Sequence, residues 1–275
     1  MTDQEKDQRI VEKVSRGDTV NSPDEMSEGY KQSLSHLMLM QADSELAGAF
    51  GYVPWIMKAI STKEMLTVSA ITHDEVRHAR VMYQLLEELG VDVESRVKQF
   101  DYTLRVGDEI ELGTTRPATD QRVNIFYYPI PTWYDFIMFN VLQDRGAGHQ
   151  LQDATESSYG PWRAVMEGIM KEEEMHIAHG DYWLKRLGRD PKHKEATQEA
   201  LDRWFPRVMN VFGRPNSPRN ATYRKYGLKK RDNHEVRMTF AKEVFGVVDE
   251  AGLKHPVWDA PADWEKLPAD GVVAG

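Results

Sequence analysis

Glu75-Val76-Arg77-His78 and Glu173-Glu174-Met175-His176 carry one short pattern, Glu-x-x-His, which occurs nowhere else in the chain. Residues i and i+3 share a helix face, so in each copy the carboxylate and the imidazole can reach one point from adjacent turns. Each copy follows, by roughly thirty residues, a carboxylate in a helical pattern: Glu45 before Glu75, and Asp144 before Glu173. One carboxylate from each of two helices, with one Glu-x-x-His from each of two others, is the donor set of a four-helix bundle that holds two metal ions. Chance alone supplies about one Glu-x-x-His in a chain of this composition, so a single copy means little. The matched upstream carboxylates carry the argument. The competing reading is two surface helices with ordinary charged faces.

The 275 residues suffice for one large domain or two small ones. Charged residues make up 29% and hydrophobic ones 40%, as in a soluble globular protein. The net charge of -9 argues against nucleic acid as the main partner. With no cysteine, disulfides, zinc–thiolate sites and iron–sulfur clusters are excluded. Met1-Thr2-Asp3-Gln4-Glu5-Lys6 does not open a signal peptide. No apolar run approaches the ~20 residues that span a bilayer. The expectation is a cytoplasmic protein with neither membrane nor nucleic acid as partner.

Residues 1–25 read as a loose polar arm, 26–251 as the metal-binding domain, and 252–275 as an irregular tail. A first helix is expected over 26–50. Leu34, Leu37, Met38, Gln41, Glu45 and Ala49 share its stripe, which puts Glu45 on an apolar face where a lone charge is costly. Gly48, Gly51 and Pro54 mark a kink or an end. A second helix covers 62–89 with Met65, Val68, Thr72, Glu75, His78 and Ala79 on one stripe, capped by Gly90. The long connection over 91–131 contains Phe100–Val106 and Ile110–Leu112 around Gly107-Asp108, a hairpin pattern. It is either a cover or partner surface, or a solvated loop. A third helix runs from Pro131-Thr132-Trp133 through Asp144 to 157, and a fourth from Gly160-Pro161 to Leu187-Gly188. Helix five starts at Asp190-Pro191 and ends near Phe212-Gly213. A last helix follows the capping-box pattern Asp232-Asn233-His234-Glu235 and ends near 251.

The expected ligands are Glu45, Glu75, His78, Asp144, Glu173 and His176, which are also the expected catalytic residues. Four carboxylates and two imidazoles suit iron or manganese better than calcium or magnesium. Glu75 and Glu173 are the bridging candidates, since each shares a face with a His that serves one ion. The outer nitrogens of the His rings need acceptors. Asp74 and Glu172 could supply them across helices, but the preferred reading makes both surface charges. His179, one turn past His176, is read as structural or exposed rather than as a support of the site. His36, His73, His149 and His193 are read as ordinary, and Leu37-Met38-Leu39-Met40 as core rather than an oxygen channel. Lys225, Lys229, Lys230 and Arg231 form a basic cluster, which is a solvated patch or a clamp for substrate phosphates.

Pro131-Thr132-Trp133-Tyr134-Asp135, Ser158-Tyr159-Gly160-Pro161-Trp162, Lys171 to His176, Trp204-Phe205-Pro206, Phe212-Gly213 and Pro215-Asn216-Ser217-Pro218 resemble segments of the phenylacetic acid catabolic family. The resemblance covers roughly residues 25–255, and all six ligand positions match. It implies an all-α fold: a ferritin-like four-helix bundle with extra C-terminal helices and a long insertion between helices two and three. It implies a non-haem di-iron monooxygenase that puts one atom of O2 into an aromatic acyl-CoA, by ring epoxidation or hydroxylation. The implied cofactors are two iron ions, with a mixed manganese–iron pair allowed by the same donors. The implied partners are a ferritin-like non-catalytic subunit (or a second copy of the chain) and a flavin/iron–sulfur reductase passing electrons from NAD(P)H. Lys225, Lys229, Lys230 and Arg231 are the candidates for binding CoA. Ile71 stands where the family is expected to carry Lys, and Met40 and His36 where polar or basic residues are expected. The alternatives are a di-iron hydroxylase or N-oxygenase of a small non-CoA substrate, and a metal-binding or scaffold subunit.

Overall fold

The apolar stripes at helical spacing become helices that bury them against one another. The computed structural model describes residues 1–99 and 123–260. Its α-helices are α1 (Asp3–Arg16), α2 (Glu28–Lys58), α3 (Thr62–Glu88), α4 (Val93–Gln99), α5 (Trp133–Met138), α6 (Arg145–Gln152), α7 (Gly160–Arg189), α8 (Lys194–Met209), α9 (Pro218–Lys225) and α10 (Asn233–Ala251). A π-helical segment, Phe139–Asp144, joins α5 to α6 into one rod. Among the described residues there are no strands, only an isolated bridge between Val20 and Tyr159.

Two long hairpins build the bundle. Helices α2 and α3 pack along their lengths, and the α5–π–α6 rod packs against α7, which also meets α3. This is an all-α ferritin-like bundle. Side-chain caps fix where its helices begin: Ser27 accepts from Tyr30 N–H, Ser61 from Glu64 N–H and Thr132 from Asp135 N–H. Each such bond satisfies a backbone donor that has no intrahelical partner. The extra helices clamp the rod from outside, α8 against α5 and α10 against α6 and α7. Two buried polar ties hold that clamp. Asp135 accepts from Arg203 and from the Trp204 indole, at 2.7 and 2.8 Å. Arg145, buried in the rod, reaches Asp181 of α7 at 2.6 Å and Glu243 of α10 at 2.8 Å.

Several sequence expectations change. Residues 3–16 are not a loose arm: Thr2 and Glu5 form a capping box, Gly17 caps the other end, and Ile10 is buried. Helix α2 does not stop near 50 but continues through Gly51 and Pro54, anchored by buried Tyr52 and Trp55. Helix α9 forms within a stretch rich in Pro, Asn, Arg and Lys, after the N-cap Ser217. In the long connection, 93–99 are helical and Asn124–Tyr127 form a 3-10 turn. The hairpin expected over 100–112 lies outside the described residues. Asp232 does cap α10, accepting from His234 N–H at 2.8 Å.

Two glycines set how closely the elements approach. A Cβ on Gly48 of α2 would lie 3.1 Å from the Glu75 carboxylate. A Cβ on Gly180 of α7 would lie 2.9 Å from Asn140 Oδ1 and 3.0 Å from the Val141 backbone, inside contact distance. Gly180→Ala therefore forces α7 off the π segment and is expected to cost about 1–3 kcal/mol in chemical denaturation. Gly168→Ala, on an exposed part of α7 with open space around it, is expected to gain about 0.5–1 kcal/mol in the same assay.

Candidate metal centre

Each bundle helix delivers its acidic residues to one buried point. Glu45 comes from α2, Glu75 and His78 from α3, Asp144 from the end of the π segment, and Glu173 and His176 from α7. All six are buried. Both imidazoles turn Nδ1 inward. His78 Nδ1 lies 3.4 Å from Glu45 Oε2 and 3.2 Å from Glu173 Oε1. His176 Nδ1 lies 3.3 Å from Glu75 Oε1 and 3.8 Å from Glu173 Oε2. The two rings stack with centroids 6.0 Å apart.

Two triads have donor atoms within 4.8 Å of one another: Glu45, Glu75 and His78, and Glu75, Glu173 and His176. Glu75 belongs to both. Glu173 approaches both imidazoles, so the two carboxylates expected to bridge are the two that stand between the rings. Asp144 is in neither triad. Its Oδ2 accepts from the Tyr52 hydroxyl and from Asn140 Nδ2, both at 2.5 Å.

The electrostatics are those of a place built for cations. Burial first, then Glu45, Glu173 and Asp144, push the Glu75 carboxyl well above its ordinary range. Asp144 is likewise pushed well up, by burial and then by Glu173. Burial raises Glu173 to about 7, despite its contact with His78. Burial lowers His176 to about 4, reinforced by His78. For His78, burial is outweighed by Glu173 and Glu45, and its pKa stands at about 9. Both oxygens of Glu173 and Nδ1 of His176 are buried without a hydrogen-bond partner. Buried polar atoms without partners are costly, and a cation among them would satisfy these donors and relieve the repulsion of the carboxylates. A hard or borderline divalent metal fits this oxygen-rich, two-imidazole set.

The outer ring nitrogens overturn the expectation for their neighbours. His78 Nε2 meets Glu172 Oε2 at 2.7 Å, and His176 Nε2 meets Asp74 Oδ2 at 3.5 Å. Asp74 and Glu172 are thus the cross-helix acceptors rather than surface charges, and Arg77 pairs with Glu172 from the outer side. His179 is also tied to the site: its Nδ1 meets Asn140 Oδ1, and its Nε2 meets Glu64, each at 2.8 Å. Sequence reasoning misses Tyr52 and Asn140. Asn140 does carry a signal, as the one polar residue in Phe136-Ile137-Met138-Phe139-Asn140-Val141-Leu142.

The basic cluster does not form an open clamp. Lys225 pairs with Asp7 at 2.9 Å, and Arg231 with Asp153 at 2.8 Å. Lys229 is buried and donates to Gln150 at 2.7 Å, and burial lowers its pKa to about 8. Lys230 is exposed. Internal partners thus occupy three of the four cations. The other histidines are engaged locally, as His36 with Tyr223, His149 with Glu243 and His193 with Tyr134. His73 is exposed beside Asp74. Leu37 and Met38 are core, whereas Met40 borders a cavity. That cavity, about 40 Å³, runs beside Glu45 between α2 and α6 and is bordered by Gln41, Gln143 and Gln150. The side-chain oxygens of Gln41 and Gln143 are buried and unpartnered.

Known proteins resemble this chain over most of its length. The family described as phenylacetic acid catabolic protein matches residues 6–266. The chain belongs to that family. It is 26% identical over 267 residues to one subunit of the 1,2-phenylacetyl-CoA epoxidase of Escherichia coli (strain K12), covering 94% of this chain and 80% of that one. It is 24% identical over 261 residues to benzoyl-CoA oxygenase component B of Aromatoleum evansii, covering 85% of this chain and 52% of that one. The chain thus spans about half the length of the second relative. Both relatives are named as parts of oxygenases of several components. Among the described residues, no helix is long and apolar enough to cross a membrane.

The acid–base state of the metal-free centre can be measured. A carboxyl whose folded pKa is raised favours folding while it is protonated. Its contribution is full below its unfolded pKa of about 4.5 and is lost as pH rises through about 7. Metal-free protein should therefore lose stability across that window, on the order of 3 kcal/mol from Glu173 alone. Glu173→Gln should flatten this slope in urea denaturation curves taken from pH 5 to pH 8.

Proposed function

We propose that this chain is the catalytic subunit of a di-iron oxygenase that inserts one atom of O2 into an aromatic acyl-CoA, by ring epoxidation or hydroxylation. The observation that carries the reading is the convergence of Glu45, Glu75, His78, Glu173 and His176 on one buried point, with Glu75 common to two triads. The family and the names of both relatives support the acyl-CoA substrate class.

In this reading Glu45, Glu75 and His78 would hold one ion, and Glu75, Glu173 and His176, with Asp144 nearby, would hold the other. When bound, the pair of ions supplies the capacity to take electrons and activate oxygen. Asp74 and Glu172 hold the imidazoles by their outer nitrogens, so the inward nitrogens face the metal side. The small cavity beside Glu45 borders the centre, and the unpartnered oxygens of Gln41 and Gln143 would accept hydrogen bonds from a donor that enters it. Electrons come from an external NAD(P)H-dependent flavin/iron–sulfur reductase, since a chain without cysteine holds no iron–sulfur cluster of its own. A ferritin-like non-catalytic subunit is the expected partner.

The occupied cations near Lys225–Arg231 favour a second reading, in which the same core oxidises a smaller substrate with no CoA handle. A scaffold role fits poorly, because a scaffold needs none of the six ligands.

Anaerobic iron titration should reach two ions per chain, and Glu75→Ala or His176→Ala should lower occupancy. Reduced, iron-loaded protein is then given labelled O2 with benzoyl-CoA, phenylacetyl-CoA or the free acids. One labelled oxygen in a thioester product is the expected mass-spectrometric result, with at least about 100-fold less product from either variant. Label confined to a free-acid product selects the second reading. Product formed at the same rate without O2 rules out both.

A further inference from the structure

We infer that Glu64, His179 and Asn140 form a positioning chain that sets the direction of the Asp144 carboxylate at the metal centre. This rests on the metal-centre reading proposed above.

The amide of Asn140 is fully buried in the π segment. Its Nδ2 faces Asp144 Oδ2 at 2.5 Å and the His176 carbonyl oxygen at 3.1 Å. The His176 carbonyl oxygen only accepts, so the amide must present its N–H2 group on that side. Its oxygen is thereby turned toward α7. There His179 Nδ1 lies 2.8 Å away and must donate. On its far side, His179 Nε2 is held at 2.8 Å by the Glu64 carboxylate of α3. Both outer side chains are nearly buried, each 8% exposed. The His176 carbonyl thus fixes the direction of the Asn140 amide and of the bond from His179 Nδ1.

Two further features show the contact is built in. Gly180 directly follows His179, and any Cβ there would collide with Asn140 Oδ1 and with the Val141 backbone. Helix α7 thus supplies the donor and the space for its acceptor in consecutive residues. Moreover, Tyr52 and Asn140 both bind the same oxygen of Asp144, and among the described residues no hydrogen bond reaches Oδ1. The positioning chain occupies one oxygen and leaves the other available. It is not a proton route, because the Asn140 N–H2 group neither releases nor takes up a proton near neutral pH.

Cobalt(II), whose visible ligand-field bands report donor geometry, is the probe for the full-length protein. His179→Asn keeps an N–H donor near the Nδ1 position. His179→Gln is equally polar but carries its donor near the Nε2 position, toward Glu64. Wild type and His179→Asn should bind two cobalt ions with the same spectrum. His179→Gln should bind one of the two about 10-fold or more weakly, with shifted bands. Melting of the metal-free proteins should not separate the two variants, whereas a merely structural histidine would leave both cobalt spectra unchanged. A wild-type spectrum and two wild-type affinities in His179→Gln overturn the inference alone. Failure of the wild type to take up two ions overturns the metal reading and the inference with it.

Discussion

Four carboxylates converge in the middle of an otherwise apolar helical bundle, and their mutual repulsion is the constraint that the surrounding structure answers. An ionised carboxylate moved into a dry interior costs several kcal/mol unless it is paired or neutralised. Here burial, and then mutual repulsion, push up Glu75, Asp144 and Glu173. Two imidazoles alone do not balance it, since burial and His78 push His176 toward its neutral form. A bundle with this centre needs cations to be at its most stable. The outer helices brace the four acidic residues together.

That holding explains features of the fold that have no other evident purpose. Gly48 leaves room for the Glu75 carboxylate between α2 and α3, and Gly180 lets α7 press against the π segment. A π segment carries one extra residue per turn, which shifts the helix face that follows it and is a common mark of functional sites. In this chain it ends on Asp144, with all six of its residues buried. Arg145, the next residue, ties the rod to α7 and α10 through Asp181 and Glu243. The C-terminal helices are therefore part of what fixes the centre, although none of them contributes a ligand candidate.

The bundle is legible in the sequence because its signals are local and periodic. The stripe of α3 and the spacing of Glu75 to His78 depend on neighbours three and four residues away, and helix geometry fixes the rest. What stays hidden depends on pairing across the chain. Nothing near Lys225 announces Asp7, and nothing near His78 announces Glu172. A charge with a distant partner reads as a surface charge, so the cluster at 225–231 reads as open, and Asp74 and Glu172 read as idle. The π segment escapes for another reason. A reading at 3.6 residues per turn places Asp144 nearly right, and only the backbone reveals the changed turn. In α1, a strongly polar composition conceals an amphipathic helix whose capping box is already present at Thr2 and Glu5.

The two sides of the centre differ, and the difference orders the chemistry available to it. On the α2–α6 side stand Glu45 and a small cavity, about 40 Å³, bordered by Met40, Leu151 and glutamine side chains. On the α3–α7 side the imidazoles turn their outer nitrogens to Asp74 and Glu172, both half-buried, and Arg77 pairs with Glu172 near the surface. The cavity and the charged, hydrogen-bonded face thus lie on different sides of the centre, the second behind the histidines. On the second side, Glu172 and Asp74 each face the outer nitrogen of one imidazole. The protein separates these features by helix, the α2–α6 pair bordering the cavity and the α3–α7 pair holding the imidazoles.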